Sequence, residues 1–183
     1  MNFCSQCGHS VSLRIPPDDD RERYVCNNCH HIHYENPRVI VGVLPTLGRK
    51  VLLCKRAIEP RKGYWTIPAG FLENGESAAD GASRETWEEA RATVAERSLY
   101  CLFDLPYINQ IYMFFRAEMS KEDYAAGPES LEVGLYEEED IPWSELAFPV
   151  VTSALKYYYQ DRKSGVFPTR NEVMSFKRPR TDK

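Results

Sequence analysis

The chain has 183 residues, 43% hydrophobic and 12% aromatic, and carries a formal net charge of −4. That size suits one good-sized domain, or a domain with a small appendage, and the apolar share is enough for a real core. The slight excess of acid argues against a nucleic-acid binder relying on general phosphate attraction, but not against a site that recruits cations to handle a small phosphorylated substrate. No apolar run is long enough to span a bilayer, and the opening MNFCSQCG lacks the charged and apolar regions of a secretion signal. A cytoplasmic chain without a membrane partner is expected. In a reducing compartment its six cysteines are not read first as disulfides.

Four of them form Cys4-x-x-Cys7 and Cys26-x-x-Cys29, a doubled spacing that fits a four-thiolate zinc site. Two sulfurs per tight knuckle complete a tetrahedron with no open position for water, so one structural Zn²⁺ is expected rather than a catalytic one. Residues 1–35 should form this ribbon, with the polar IPPDDDRER as a turn-rich tip. So short a module has almost no apolar interior, and metal binding would supply its folding free energy. His9, His30, His31 and His33 lie nearby as alternative ligands, and solvated neighbours are the simpler reading. Cys54 and Cys101 sit within apolar runs and read as small buried hydrophobes.

After the turn at YENP, PRVIVGVLP and KVLLCK read as strands separated by the turn-like TLGR. GYWTIPAG reads as a third short strand stopped by Pro68 and Gly70. Ser77 with Asp80 looks like the capped start of a helix along which Ala78, Ala82, Glu85 and Glu89 recur at helical spacing. LYCLFDLPYINQIYMFFRAEM reads as a strand pair, LEVGLYEEE as a shorter strand and IPWSELAF as a loop or single turn. PVVTSALKYYYQDRK shows one apolar helix face and is followed by Gly165 as a stop. The second domain is expected to span 36–172, leaving 173–183 as a basic mobile tail.

The acidic helix carries the chemistry. Glu85, Glu88 and Glu89 stand at i, i+3 and i+4 on one side, where like charges repel unless a cation sits among them. Oxygen ligands suit a hard ion such as Mg²⁺ or Mn²⁺. Arg84 can fork onto a carboxylate of the preceding loop, for which Glu76 is the natural partner. A backbone carbonyl near Ala69 can serve as a further ligand.

Gly70, Glu76, Arg84, Glu85, Glu88 and Glu89 meet the fixed positions of G-x5-E-x7-R-E-U-x-E-E-x-G-U. With the approach GYWTIPAG, the later GPESLEVGLYEEEDIPWSELAF and the ribbon, the chain resembles zinc-ribbon Nudix hydrolases similar to the plant plastid FAD pyrophosphatase, which also cleaves ADP-ribose. The resemblance implies an α/β/α sandwich with a mixed sheet, and hydrolysis of a nucleoside diphosphate linked to another group by means of two or more Mg²⁺ or Mn²⁺. It matches Ala69, Glu85, Glu88 and Glu89 to metal ligands, with Glu129 as a further one and Glu132 as the fallback. Glu88 is the choice for orienting or deprotonating the attacking water, beside Arg84. One departure is Arg91, standing where the box has glycine; the last helical turn is expected to close differently there.

The expected substrate is a dinucleotide, FAD or ADP-ribose, cleaved to AMP plus FMN or ribose phosphate. NADH pyrophosphatases share the ribbon-plus-box layout, but their S-Q-P-W-P-F-P string has no counterpart in CLFDLPYINQIYMFF. Tyr64, Trp65, Phe71, Tyr107 and Tyr112 are candidates for stacking on the bases, and Arg56, with Lys55 and Arg38, for meeting phosphates. A non-catalytic ligand sensor, or a ribbon that binds nucleic acid or protein, is the reading of another class. A small module flanking a catalytic domain is also a common place for a homodimer contact.

Overall fold

The computed structural model describes residues 1–175; the end of the basic tail, 176–183, lies outside the described residues. The chain divides into two compact units, Met1–Pro37 and Arg38 onward. The first holds an antiparallel three-stranded sheet in the order β1 (Val11–Arg14), β2 (Arg23–Cys26), β3 (Ile32–His33). Its buried apolar residues are few, Val25 with Cys4 and Cys26 among them, as a metal-dependent module requires. Asp19 organises the polar tip by accepting from the Asp20 and Arg21 amides and from Arg23 Nε at 3.0 Å. His33 departs from the expectation of a solvated neighbour: it is buried, and its Nε2 has no partner among the described residues.

The second unit is built on a mixed sheet whose main path runs β10-β5-β4-β9-β8-β11. Its strands are β4 (Arg38–Leu47), β5 (Lys50–Arg56), β8 (Ser98–Leu105), β9 (Gln110–Glu118), β10 (Ser130–Tyr136) and β11 (Arg170–Val173). Two short strands, β6 (Trp65–Thr66) and β7 (Ala69–Phe71), pair with β5 and β4. β4 runs parallel to β9 and β11 parallel to β8. Side-chain alternation makes this an α/β/α sandwich. Val41 and Val43 on β4, with Phe115 and Ala117 on β9, pack with Ala82 of α1 (Ala78–Ala90). Leu44 and Phe114 face the other way, into the cluster holding Val151, Ala154 and Leu155 of α2 (Pro149–Arg162). Cys54 and Cys101 are buried as small hydrophobes. No helix among the described residues is long and apolar enough to cross a membrane.

Two local readings differ, and a third holds: IPWSELAF contains one 3-10 turn at Trp143–Glu145, preceded by another at Glu138–Asp140. GYWTIPAG is two strands, and Gly70 does not end one: it pairs with Val41 inside β7. The strand β11 has no counterpart in the sequence reading, which placed only a tail from residue 173.

β11 is strapped by charge rather than by apolar burial. Arg170 forks both terminal nitrogens onto Asp161 at the end of α2, and the Tyr100 hydroxyl donates to the same carboxylate at 2.6 Å. A carboxylate near a helix C-terminus is unfavourable without such a partner. The Arg170 guanidinium holds Asp161 below its usual range. Replacing Arg170 by Met strands the buried acid, and urea unfolding should lose about 3 kcal/mol. Because the folded pKa of Asp161 is depressed, its contribution is full above the ordinary aspartate value and is lost as pH falls through the folded one. The stability gap between wild type and Asp161→Asn should therefore narrow below about pH 4; a constant gap from neutral to strongly acid pH would contradict this.

Candidate functional site

The box helix begins as its sequence specifies. Ser77 Oγ accepts from the Asp80 amide at 3.2 Å and donates to the Asp80 carboxylate at 2.6 Å. Ahead of the helix, the turn after β7 is tied down by Arg84. Its Nε and Nη2 fork onto Glu76 at 3.0 and 2.8 Å, Nη1 reaches Glu85 at 2.8 Å and Glu88 at 3.0 Å, and Nη2 also donates to the Phe71 carbonyl at 3.1 Å. These bonds engage all five N–H donors of the guanidinium. Glu76, which also accepts from the Glu73 amide, is held well below the usual carboxylate range by Arg84.

The helix carboxylates are graded in exposure. The Glu88 side chain is 52% exposed and Glu85 half-buried, whereas Glu89 is only 6% exposed and accepts from the Ala69 amide at 3.2 Å. Burial, reinforced by the charges of Glu85 and Glu129 and opposed by the Ala69 bond and Arg56, pushes Glu89 up to about 8. Burial also raises Glu85, against the pull of Arg84. A buried carboxyl near other acids accepts either a proton or a cation readily. That environment fits a hard divalent ion held by oxygen ligands. Glu129 lines the same cleft, whereas Glu132 lies on β10 opposite Lys55 and pairs with it at 3.8 Å. Of the two later acids, Glu129 alone stands with the helix set.

Two close approaches fix this geometry. A Cβ on Gly70 would meet the Glu85 carboxylate at 2.4 Å, so the strand can pass the helix only without a side chain there. A Cβ on Gly127 would stand 1.7 Å from the Glu88 carbonyl. That loop caps the end of α1: the Gly127 amide donates to the Glu89 carbonyl and the Ala125 amide to the Ala90 carbonyl, both at 2.9 Å, satisfying acceptors that a helix end leaves open. The same loop then presents Glu129. Arg91 ends the helix left-handed, φ 52° and ψ 19°, its amide bonded to the Trp87 carbonyl at 2.9 Å. The exit therefore keeps the conformation that glycine suits, contrary to the expectation of a different closure, at a cost of roughly 1 kcal/mol.

These groups line a cleft of about 860 Å³, toward the upper end for small-molecule sites. Among the aromatic candidates, Phe71, Tyr107 and Tyr112 line it. Tyr64 and Trp65 are outside the lining. Trp65 is a correction: at 5% exposure it packs edge-on against Tyr136 in the core, because its β6 position faces the α2 side of the sheet. Tyr64 lies instead against the Arg61 guanidinium. Arg56 lines the cleft, donating to the Pro60 carbonyl and lying 5.2 Å from the Phe148 ring centroid. Phe148, Gln110, which accepts from the Tyr112 hydroxyl at 3.2 Å, and Met174 also line it and were not singled out by sequence. Phe148 adjoins a helix-starting proline, the one local signal that could have drawn notice; the other two are placed by tertiary folding.

In the N-terminal unit the four cysteine sulfurs all lie within 4.8 Å of one another, with Cys4–Cys29 at 3.7 Å and Cys7 at 3.4 Å from both Cys26 and Cys29. Tetrahedral zinc at about 2.3 Å from each sulfur needs sulfurs roughly 3.8 Å apart, so the set fits one zinc ion with little movement. None of the four histidines belongs to it.

Two outcomes follow from this geometry. Gly127→Ala should force the Glu129 loop off α1, losing about 2 kcal/mol of stability and lowering activity although every carboxylate is retained; unchanged melting and turnover would show that the loop does not position Glu129. Cys26→Ser should abolish zinc retention by elemental analysis and lose amide-exchange protection over Val11–His33 while the strands of the second unit stay protected. Full protection of the ribbon without zinc would refute metal-dependent folding.

Comparison with known proteins places this geometry. The family model described as Nudix N-terminal, a zinc ribbon, matches residues 2–35, and the one described as NUDIX domain matches residues 36–161. A crystal structure of a NUDIX hydrolase from Nitrosomonas europaea superposes with a TM-score of 0.92 at 52% identity, over 95% of this chain and 99% of that one. The NAD-capped RNA hydrolase NudC of Salmonella heidelberg is 27% identical over 142 residues, 76% of this chain and 53% of that protein. The chain thus spans about half the length of the curated relatives it matches. The NUDIX domain of Shewanella oneidensis NrtR, solved with ADP ribose, shares the fold at 19% identity and a TM-score of 0.61, over 73% of this chain and 91% of that one. With its box carboxylates, its sandwich and its ribbon in these places, the chain belongs to the NUDIX hydrolase family.

Proposed function

We propose that the protein hydrolyses the diphosphate of a dinucleotide, releasing AMP, with Glu85, Glu88, Glu89, Glu129 and the Ala69 carbonyl as the metal-binding set. One observation carries this reading: these four carboxylates line one cleft while Arg84, bonded to two of them, already has its five donors engaged. A diphosphate diester brings about two negative charges into that cleft, where at ~5 Å each pair of like charges costs about 1 kcal/mol even in water. Mg²⁺ or Mn²⁺ held by these residues would reverse that sign and lower the pKa of a water, so that its deprotonated form is available as the nucleophile.

The chain's own residues divide the remaining work. Arg84 keeps Glu85 and Glu88 aimed and fastens the turn that carries Phe71. Glu88, the most exposed of the helix set and bonded to Arg84 through one oxygen, has its other oxygen to accept the proton of the attacking water. Glu89, buried against β7, holds its position through the Ala69 amide. Tyr112, Phe71 and Phe148 offer ring faces for the bases, and Arg56 stands within reach of a phosphate.

The substrate readings rest on different supports. FAD and ADP-ribose follow from the resemblance in the sequence. A nicotinamide dinucleotide, free or capping an RNA, is favoured by the NudC relatives, which match over 142 residues. AMP release from FAD, ADP-ribose and NADH with Mg²⁺, set beside Glu89→Gln, tests the proposal and ranks the three. The variant should lose roughly 100-fold or more in kcat. Equal rates in wild type and Glu89→Gln would end the proposal.

A further inference from the structure

The left-handed helix exit carries Arg91 where a glycine would be strain-free, and Arg91 lines the cleft together with Glu88 and Glu129. Six acids line that cleft, Glu59, Glu73, Glu85, Glu88, Glu89 and Glu129, against the three cations Arg56, Arg84 and Arg91. An arginine in such surroundings ordinarily settles on a carboxylate. Among the described residues Arg91 is in no ion pair, and Glu88, three residues back, is held by Arg84 instead. The contacts of Arg91 are a long bond from Nη1 to the Trp87 carbonyl, 3.5 Å, and the Trp87 ring, whose centroid lies 5.6 Å from Cζ. Trp87 is itself 49% exposed, an uncovered indole on the outer side of the box helix. A guanidinium resting on an aromatic face keeps its N–H edge free for an anion, and the ring limits the freedom it would lose on binding.

We infer that Arg91, steadied by Trp87, is a substrate-binding residue of this chain that takes a phosphate oxygen at the end of the carboxylate row. The inference rests on the diphosphate reading and adds a residue to it: with Arg84 committed to acids, Arg91 and Arg56 are the guanidinium groups left to meet the substrate's negative charge. The strain at φ 52° marks the same division of labour. Glycine would serve the helix better, and arginine serves the ligand.

Steady-state kinetics with ADP-ribose and Mg²⁺, run on wild type, Arg91→Gly, Arg91→Lys and Glu89→Gln, test this, with calorimetric binding of ADP-ribose in parallel. Arg91→Gly should raise KM and Kd about tenfold, the scale of one charge-assisted bond, with the smaller part of the loss in kcat. Its melting temperature should hold or rise, since glycine relieves the left-handed turn. Arg91→Lys should recover part of the affinity, and the wild-type KM should climb with salt more steeply than that of Arg91→Gly. A KM and Kd within twofold of wild type would overturn the inference, as would a drop in melting temperature that accounts for the whole loss. If instead Glu89→Gln turns over like wild type, the hydrolytic reading fails, and the Kd comparison alone decides whether Arg91 binds the anion.

Discussion

The catalytic half of the molecule depends on one guanidinium. Arg84 is bonded to three carboxylates and a carbonyl, and each bond fixes a different piece of chain. Glu76 and the Phe71 carbonyl belong to the turn before the helix, Glu85 and Glu88 to the helix itself. The fork onto Glu76 is bidentate and its partners are largely shielded, with side-chain exposures of 25% and 18%. Charge-assisted pairs of that geometry are stronger than scattered surface bridges. Removing the guanidinium would leave Glu76, Glu85 and Glu88 repelling one another around a gap, so the penalty would exceed the sum of bonds lost. The turn fastened in this way adjoins the strand whose Ala69 amide reaches Glu89, and the carboxylates that line the cleft extend from there.

A second constraint works through what is absent. Gly70 and Gly127 stand where backbone passes within contact distance of α1, one beside the Glu85 carboxylate and one beside the Glu88 carbonyl. The helix is therefore clasped by chain on two sides, by β7 at its carboxylates and by the 125–129 loop at its C-terminal carbonyls. This explains how a carboxylate from a distant part of the sequence reaches the others without a long, costly excursion. It also explains why a strained Arg91 is tolerated: the exit is over-determined by bonds from the 125–129 loop.

The legible part of the site was the part written in one stretch. Gly70 to Glu89 is a local pattern whose spacing maps onto a turn and a helix, so cap, fork and carboxylate face could all be read from it. The apolar runs of β4 and β9 and the apolar face of α2 marked these elements, whereas the sandwich they build came only with the family resemblance. Residues brought in from other elements escaped, because their roles depend on sheet order rather than on spacing. Trp65 looked like a stacking residue beside the box, yet β6 turns it into the core against Tyr136. Phe148, Gln110 and Met174 reach the cleft only because α2, β9 and β11 converge there. β11 itself is a poor strand by composition, Arg-Asn-Glu-Val, and is held by the Arg170–Asp161 pair, which no periodicity announces.

The cysteine cluster and the carboxylates of the cleft follow different electrostatic logic. Four cysteine sulfurs at contacts of 3.4–3.7 Å would repel one another as thiolates unless a cation stood among them, and a four-thiolate cage has no place for a ligand besides sulfur. Carboxylates stay ionised at neutral pH unless burial forbids it, and no three of them among the described residues are gathered as the cysteines are. They are kept apart by repulsion and by Arg84, with burial raising Glu85 and pushing Glu89 up to about 8. A set of acids that is poised but not closed exchanges ions and leaves coordination positions to water and phosphate. The ribbon, by the same reasoning, can hold its ion permanently and take no part in turnover. A closed set of ligands and an open one thus differ in how far each ligand stands from its own neighbours.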